Sequence, residues 1–237
     1  MDNKNHIKFP EDLEKNGRFF TSQLFQDWFA LFFNKLKPNL FFVEIGATNG
    51  IYLSNTYILE RYYNWKGIIV EPLPTFKKSI ESNRKCTVDT RCVYSATGQT
   101  VKFVESVDSL ELSGIESLLP VDMNSGNRAN RNVIEVETVS LNDLLKQHNA
   151  PQIIDYLSID TEGSEYEILS AFDFGRYKIS VITVEHNFVE PQRSAIKNLL
   201  ESNGFIRIGT NVSKWDDWYV HRSNQTLAEF LGSAPIE

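Results

Sequence analysis

The chain has 237 residues, 41% of them hydrophobic, which suffices for one substantial core and predicts a single domain over 1–237. Its 24 Lys and Arg against 31 Asp and Glu leave a formal charge of -7, so no global electrostatic pull favours nucleic acid or an anionic membrane. The longest apolar runs, "LFFVEIG" and "SVITVEH", are strand length, well short of the ~20 residues that cross a bilayer, and the first residues lack the apolar stretch of a secretory signal.

In chain order, residues 1–37 form an expected helical extension, because Leu24, Trp28, Leu31, Phe32 and Leu36 in "SQLFQDWFALFFNKL" recur with helical spacing. From about residue 40 to 186, short apolar runs alternate with segments of helical period. That alternation predicts βαβ units and a mainly parallel sheet covered on both faces. The predicted strands are 40–45, 67–71, 87–94, 154–160 and 180–185. The predicted helices are 53–63, 75–83, 141–148 behind the cap Ser140, 165–172, and 192–203 closed by Gly204. Cys86 and Cys92, an even number of positions apart near one expected strand, would share a face; without histidines at ligand spacing they make neither a zinc site nor a disulfide scaffold, which fits a cytoplasmic protein. Residues 106–132 are rich in Ser, Asn and Gly and keep no period, as in a functional cover or a disordered loop. After Gly204, "FIRIGTN" and "DWYVHR" predict an antiparallel pair at one sheet edge.

Two strand ends carry chemistry. In "VEIGATNGIYLS", Gly46 permits a sharp turn and a close ligand approach, but Thr48 and the four-residue spacing to Gly50 depart from the G-x-G-x-x-G pattern that seats a pyrophosphate, which disfavours a nicotinamide oxidoreductase. An adenosine cofactor without phosphate needs less: a glycine at the first strand end and a carboxylate for the ribose. Glu71, 27 positions after Glu44 and ending the next strand, supplies that carboxylate, and the pair points to S-adenosylmethionine. The second constellation, "YLSIDTEGSEYEIL" with "VITVEHN", places Asp160, Glu162 and Glu165, then Glu185, His186 and Asn187, at two strand ends. His186 is suited to take a proton from a substrate hydroxyl, with Asp160 or Glu162 orienting it. The alternative, less favoured, is Mg²⁺ held by Asp160, Glu185 and Asn187.

These residues resemble the FkbM-type family of S-adenosylmethionine-dependent methyltransferases. The pieces are "SQLFQDWF", "FFVEIGATNGIYLSNTYILE", "WKGIIVEPLP", "VSLNDLL", "IDYLSIDTEGSEYEIL" and "ITVEHN", in order over about residues 22 to 187, with Glu44 where aspartate is more usual. The resemblance implies a class I methyltransferase Rossmann-like fold: an α/β domain with a mainly parallel seven-stranded sheet and an antiparallel C-terminal strand. Carried over by position, Glu44, Gly46, Ala47, Asn49, Glu71 and Pro72 line the cofactor, Ser54 and Asn55 sit near it, and Gln23 and Asp27 close over its methionine end. Asp160, Glu162 and His186 fall around the methyl group, with Glu165 and Asn187 towards the substrate. Within the 106–132 cover, Arg128 and Arg131 are expected either to meet the phosphate of an activated sugar or to form a solvated basic patch. Trp215, Trp218 and Tyr219 are expected to stack on a sugar or to belong to the core. The implied activity is O-methylation of a carbohydrate, as a nucleotide-activated sugar or a surface-polysaccharide precursor. A natural-product O-methyltransferase and a non-catalytic Rossmann-like binding module are the rival readings. The implied partners are a small molecule or nucleotide sugar, without nucleic acid, and a homodimer is allowed.

Overall fold

The computed structural model describes residues 6–7, 20–121 and 124–232. In chain order its elements are α1 (Gln26–Phe33), β1 (Phe41–Ile45), α2 (Tyr57–Tyr63), β2 (Lys66–Val70), α3 (Lys77–Asn83), β3 (Thr87–Asp89), β4 (Cys92–Tyr94), β5 (Thr100–Ser106) and β6 (Gly114–Ile115). They continue with β7 (Arg131–Ser140), α4 (Leu141–Gln147), β8 (Ile153–Ile159), α5 (Glu165–Ser170), β9 (Lys178–Glu185), α6 (Glu190–Ser202), β10 (Phe205–Ile208), β11 (Asp216–His221) and α7 (Gln225–Gly232).

The main sheet has seven strands in the order β10-β11-β9-β8-β1-β2-β3. Strands β3, β2, β1, β8 and β9 are parallel neighbours, while β11 runs against both β9 and β10. The expected antiparallel pair stands at one sheet edge: β11 inserts between β9 and β10, and β10 is the outermost strand. Successive strands move outward from β1 in opposite directions, so the switch in topology lies between β1 and β8, where open α/β sheets bind ligands beyond the strand ends.

Each central strand divides its side chains by the two-residue period of a pleat. Val43 and Ile45 enter the core beneath α4, α5 and α6, whereas Phe42 enters the core beneath α1, α2 and α7. Within the second core Phe29 of α1 meets Trp218, ring centroids 4.8 Å apart. The N-terminal helix is shorter than its apolar stripe. Phe25 at φ 66 turns the chain before it, and Leu36, at φ 54, is 55% exposed instead of packed. Residues 1–5 and 8–19 of the expected extension lie outside the described residues.

Two predictions fail together between residues 86 and 140. The single strand at 87–94 is broken at Thr90 and Arg91, where Arg91 donates from its backbone and guanidinium to Asp89. Against the effect of burial, these bonds and one from His148 hold the Asp89 carboxyl down to about 2. The chain then enters a second sheet, β4-β7-β5-β6, so Cys86 and Cys92 lie in different clusters and do not share a face. The periodless 106–132 segment contains β6 and the start of β7, and β5 pairs with β7 over seven residues from Thr100↔Glu137 to Ser106↔Arg131. Predicted features that hold include the Ser140 cap, which accepts from the Asp143 N–H at 3.1 Å, and Gly204 at φ 88. No described helix is long and apolar enough to cross a membrane.

Candidate active site

Gly46 ends β1 at φ 86, and a Cβ there would lie 1.9 Å from the Asp160 carbonyl oxygen. Only glycine lets the ends of β1 and β8 meet so closely in that left-handed conformation. Beyond these strand ends opens a cavity of about 680 Å³. Strand order divides it in two. One half lies over β1, β2 and β4 and is lined by Val70, Glu71, Pro72, Cys92 and Val93, with Phe103 from β5. The other lies over β8 and β9 and is lined by Asp160, Glu162, Glu185, Asn187 and Phe188, with Trp215 from the turn before β11. Gln23 reaches the cavity from ahead of α1, and residues 109–113 with Val121, Asn124 and Asn127 cover it.

Glu71 is fixed by the backbone around it: its Oε2 accepts from the Thr48 N–H at 2.9 Å and its Oε1 from the Leu73 N–H at 3.0 Å. Burial nevertheless raises its carboxyl to about 7. Thr48 adopts φ 45 to make this contact, so the residue standing where a nucleotide loop has glycine instead orients Glu71. Sequence reading treated Thr48 only as a departure from a pattern. Cys92, Val93 and Phe103 were missed as wall residues because the second sheet was missed; the alternation of "TVKFVE" and "NVIEVETV" was the available signal.

Several residues expected at the ligand have other partners. Glu44 shares the Phe42 face of β1 and points beneath α2, where it accepts from Ser54, the Asn55 N–H, Thr56 and Arg84; it does not line the cavity. Ser54 and Asn55 belong to this buried network, with the Asn55 amide donating to Ser158 at 2.9 Å. Ala47 packs in the core, and the Asn49 side chain accepts from the Ile51 and Tyr52 N–H groups, closing the turn. Asp27 accepts from Ser22 and from the Thr21 and Trp28 N–H groups, which shapes the segment that presents Gln23. Burial raises Asp27 to about 6.

The second half concentrates carboxylates. One ligand oxygen from each of Asp160, Glu162 and Glu185 lies within 4.8 Å of the others. Burial first, and neighbouring carboxylates second, raise Asp160 and Glu185 well above the usual range, so the pair keeps a proton that isolated carboxyls would lose. Two groups hold this like-charged set together. Arg128 donates from Nη2 to Glu162 Oε2 at 2.6 Å, and the Asn187 amide nitrogen donates to Glu162 at 3.1 Å and Glu185 at 2.9 Å. These are donors facing the carboxylates; the less favoured Mg²⁺ set needs the Asn187 oxygen there instead. Backbone strain marks the same place, with φ 58 at Glu162, 45 at Asn187 and 60 at Phe188.

The assignments to His186, Arg128, Arg131 and Glu165 are corrected by this geometry. His186 is buried away from the cavity: its Nδ1 accepts from the Phe188 N–H at 2.9 Å, so its proton sits on Nε2, 3.7 Å from Asp217 Oδ1. A ring nitrogen occupied by backbone leaves no base aimed at a substrate. Arg128, also buried, bonds Leu112 and Pro120 carbonyls besides Glu162 and thus ties the cover to the acidic wall rather than meeting a phosphate. The fit of that cover is close, since a Cβ on Gly163 would lie 2.2 Å from the Leu118 oxygen. Arg131 begins β7, exposed and outside the cavity. Glu165 caps the turn by accepting from Thr161 and the Gly163 N–H, and Trp218 and Tyr219 are core residues.

The model of the methyltransferase FkbM domain matches residues 44–207. The chain belongs to this methyltransferase family. The FkbM match and the sheet order together establish the class I, Rossmann-like fold. No curated protein matches the chain. Among solved structures, a methyltransferase FkbM from Methylobacillus flagellatus KT is similar at TM-score 0.48 and 13% identity, covering 77% of this chain and 44% of that one. The chain thus spans less than half the length of that structure. A precorrin-6y C5,15-methyltransferase from Geobacter metallireducens GS-15 is similar at TM-score 0.39 and 16% identity, covering 81% and 80% of the two chains. A methyltransferase from Pyrococcus furiosus gives 0.38 and 13%, covering 82% and 81%.

Proposed function

We propose that this FkbM-family chain is an S-adenosylmethionine-dependent O-methyltransferase whose acceptor is a hydroxyl of a carbohydrate. The observation that carries this reading is one cavity with Glu71 at one end and the Asp160–Glu185 pair at the other. The first half fits an adenosine: Glu71 retains lone pairs for ribose hydroxyls beyond the two N–H groups it accepts, and Val70, Pro72, Val93 and Phe103 make an apolar wall for a base. Gln23, Gly46 and Asp160 stand towards the methionine end. When bound, S-adenosylmethionine supplies a methyl group already activated by its sulfonium.

The chain's own residues then position the acceptor and remove its proton. Asp160 and Glu185, which share a proton, present one ionised carboxylate that takes the hydroxyl proton as the oxygen gains the methyl group. A carboxylate with a raised pKa is a better base than one in the ordinary range. Phe188 and Trp215 offer ring faces, and the carboxylates and the amides of the cover offer partners for several hydroxyls, which supports a sugar. Calorimetry tests the reading. S-adenosylmethionine is expected to bind the native chain at micromolar concentration, and Glu71→Ala to weaken it by about 10- to 100-fold. Tight binding that ignores this substitution would remove Glu71 as the ribose acid, and no binding to the native chain would leave a non-catalytic module.

A further inference from the structure

Charge in the acceptor half narrows the substrate further. The described cavity lining includes Glu71, Glu111, Asp160, Glu162 and Glu185 and no Lys, Arg or His. Arg128 lies behind this wall with Nε, Nη1 and Nη2 each donating to protein oxygens. Lys214 holds its ammonium 5.4 Å from the Trp215 ring centroid but does not itself line the cavity. A phosphate or diphosphate brought here would face the ionised member of the Asp160–Glu185 pair and other carboxylate oxygens, with no cation in the described lining to offset its own charge. Uncharged hydroxyls meet the opposite situation, because carboxylates accept their hydrogen bonds and Phe188, 51% exposed at its strained φ, presents a ring to the C–H face of a sugar.

We infer that the acceptor is an uncharged, polyhydroxylated sugar carrying no phosphate, free or already in glycosidic linkage, rather than a nucleotide-linked or phosphorylated one. This inference rests on the carbohydrate O-methyltransferase reading and departs from the nucleotide sugar suggested by Arg128 and Arg131 in the sequence. Its test uses the full chain saturated with S-adenosylmethionine and matched acceptors: methyl glycosides, the corresponding sugar 1-phosphates and the uridine diphosphate sugars, with methylated product read by mass. Transfer is expected to phosphate-free acceptors, with kcat/KM at least about tenfold above the phosphorylated counterparts; the reverse ratio overturns the inference.

Inorganic pyrophosphate and uridine diphosphate, titrated calorimetrically into the chain loaded with S-adenosylhomocysteine, decide the charge question even if no sugar in the panel is turned over. No binding at millimolar concentration is expected, and submillimolar binding overturns the inference. Lys214→Ala locates any such binding: native binding lost in that variant would assign Lys214 as a phosphate contact. Failure of S-adenosylmethionine to bind the native chain would instead sink the underlying enzyme reading, and it is distinguishable because that binding is titrated directly, before any anion or sugar is added.

Discussion

The two halves of the cavity are built by opposite means. The half over β2 is held by backbone: two N–H groups fix one carboxylate, and an apolar wall surrounds it. The half over β8 and β9 is held by side chains, with carboxylates crowded together and restrained by Arg128, Asn187 and three residues at positive φ. Under the proposed function, that difference separates binding from chemistry. A backbone-built half tolerates change in most side chains and depends on glycine and one acid. The crowded half combines like-charge repulsion and backbone strain with the raised pKa that the proposed proton transfer uses.

The largest effect is expected where the halves join. Gly46→Ala places a methyl group against the Asp160 carbonyl at a φ that disfavours L residues, and a loss of more than about 4 kcal/mol or failure to accumulate folded protein is expected by urea unfolding. A folded, equally stable variant would show that β1 and β8 separate easily. Next, Asp160→Asn is expected to lower kcat by about 10²- to 10⁴-fold while leaving S-adenosylmethionine affinity within about threefold. Equal loss in both would merge the two halves into one function.

Glu71→Gln addresses the other half through pH. In the proposed role the ionised carboxylate accepts the ribose hydroxyls, and burial raises its pKa to about 7, so affinity is expected to rise with pH up to about 7, by as much as about tenfold per unit below it. Glu71→Gln should flatten that profile; a native profile flat between pH 5 and 8 would contradict the role. The sign for stability is the reverse. Asp27, Glu71 and Asp216, raised to about 6, 7 and 7, bind protons more tightly folded than unfolded. Their contribution to the ligand-free protein is therefore complete below the ordinary carboxyl range and is lost as pH rises through 6 to 7. The smallest effect on turnover is expected for His186→Ala, which should keep kcat within about twofold yet lower stability by about 1–3 kcal/mol by removing a buried ring. A kcat collapse would restore His186 as the base.

The parallel core of the central sheet was readable because β2, β8 and β9 are nearly unbroken apolar runs with Glu71, Asp160 and Glu185 at or just past their ends, a pattern that βαβ physics produces and few alternatives share. Glu71, Asp160 and Glu185 follow from that, since strand ends point at the ligand edge. Direction of side chains was harder. Glu44 and Glu71 look alike in sequence, yet Glu44 lies one residue before its strand's end, and pleat alternation sends it beneath α2 to Arg84. His186 was misread for a related reason: a histidine just past a strand end looks aimed at the site, but φ 45 and 60 at Asn187 and Phe188 turn the backbone so that the Phe188 N–H donates to its Nδ1. Arg128 sits in a segment without period, and nothing in its neighbours announces the contact to Glu162 across 34 residues. The second sheet was within reach, since Ile134, Val136 and Thr138 alternate with Glu135 and Glu137, but the Ser- and Asn-rich stretch before it obscured the pattern.

The reversed direction of β11 has a bearing on biosynthesis. Its first residue, Asp216, pairs with Glu185, the last residue of β9, so this strand begins at the edge where its parallel neighbours finish, and Trp215 arrives there just before it. In order of synthesis Glu71, Asp160 and Glu185 all precede Trp215, so the wall residue carried by the reversed strand's leading turn is the last of the described cavity lining to be made.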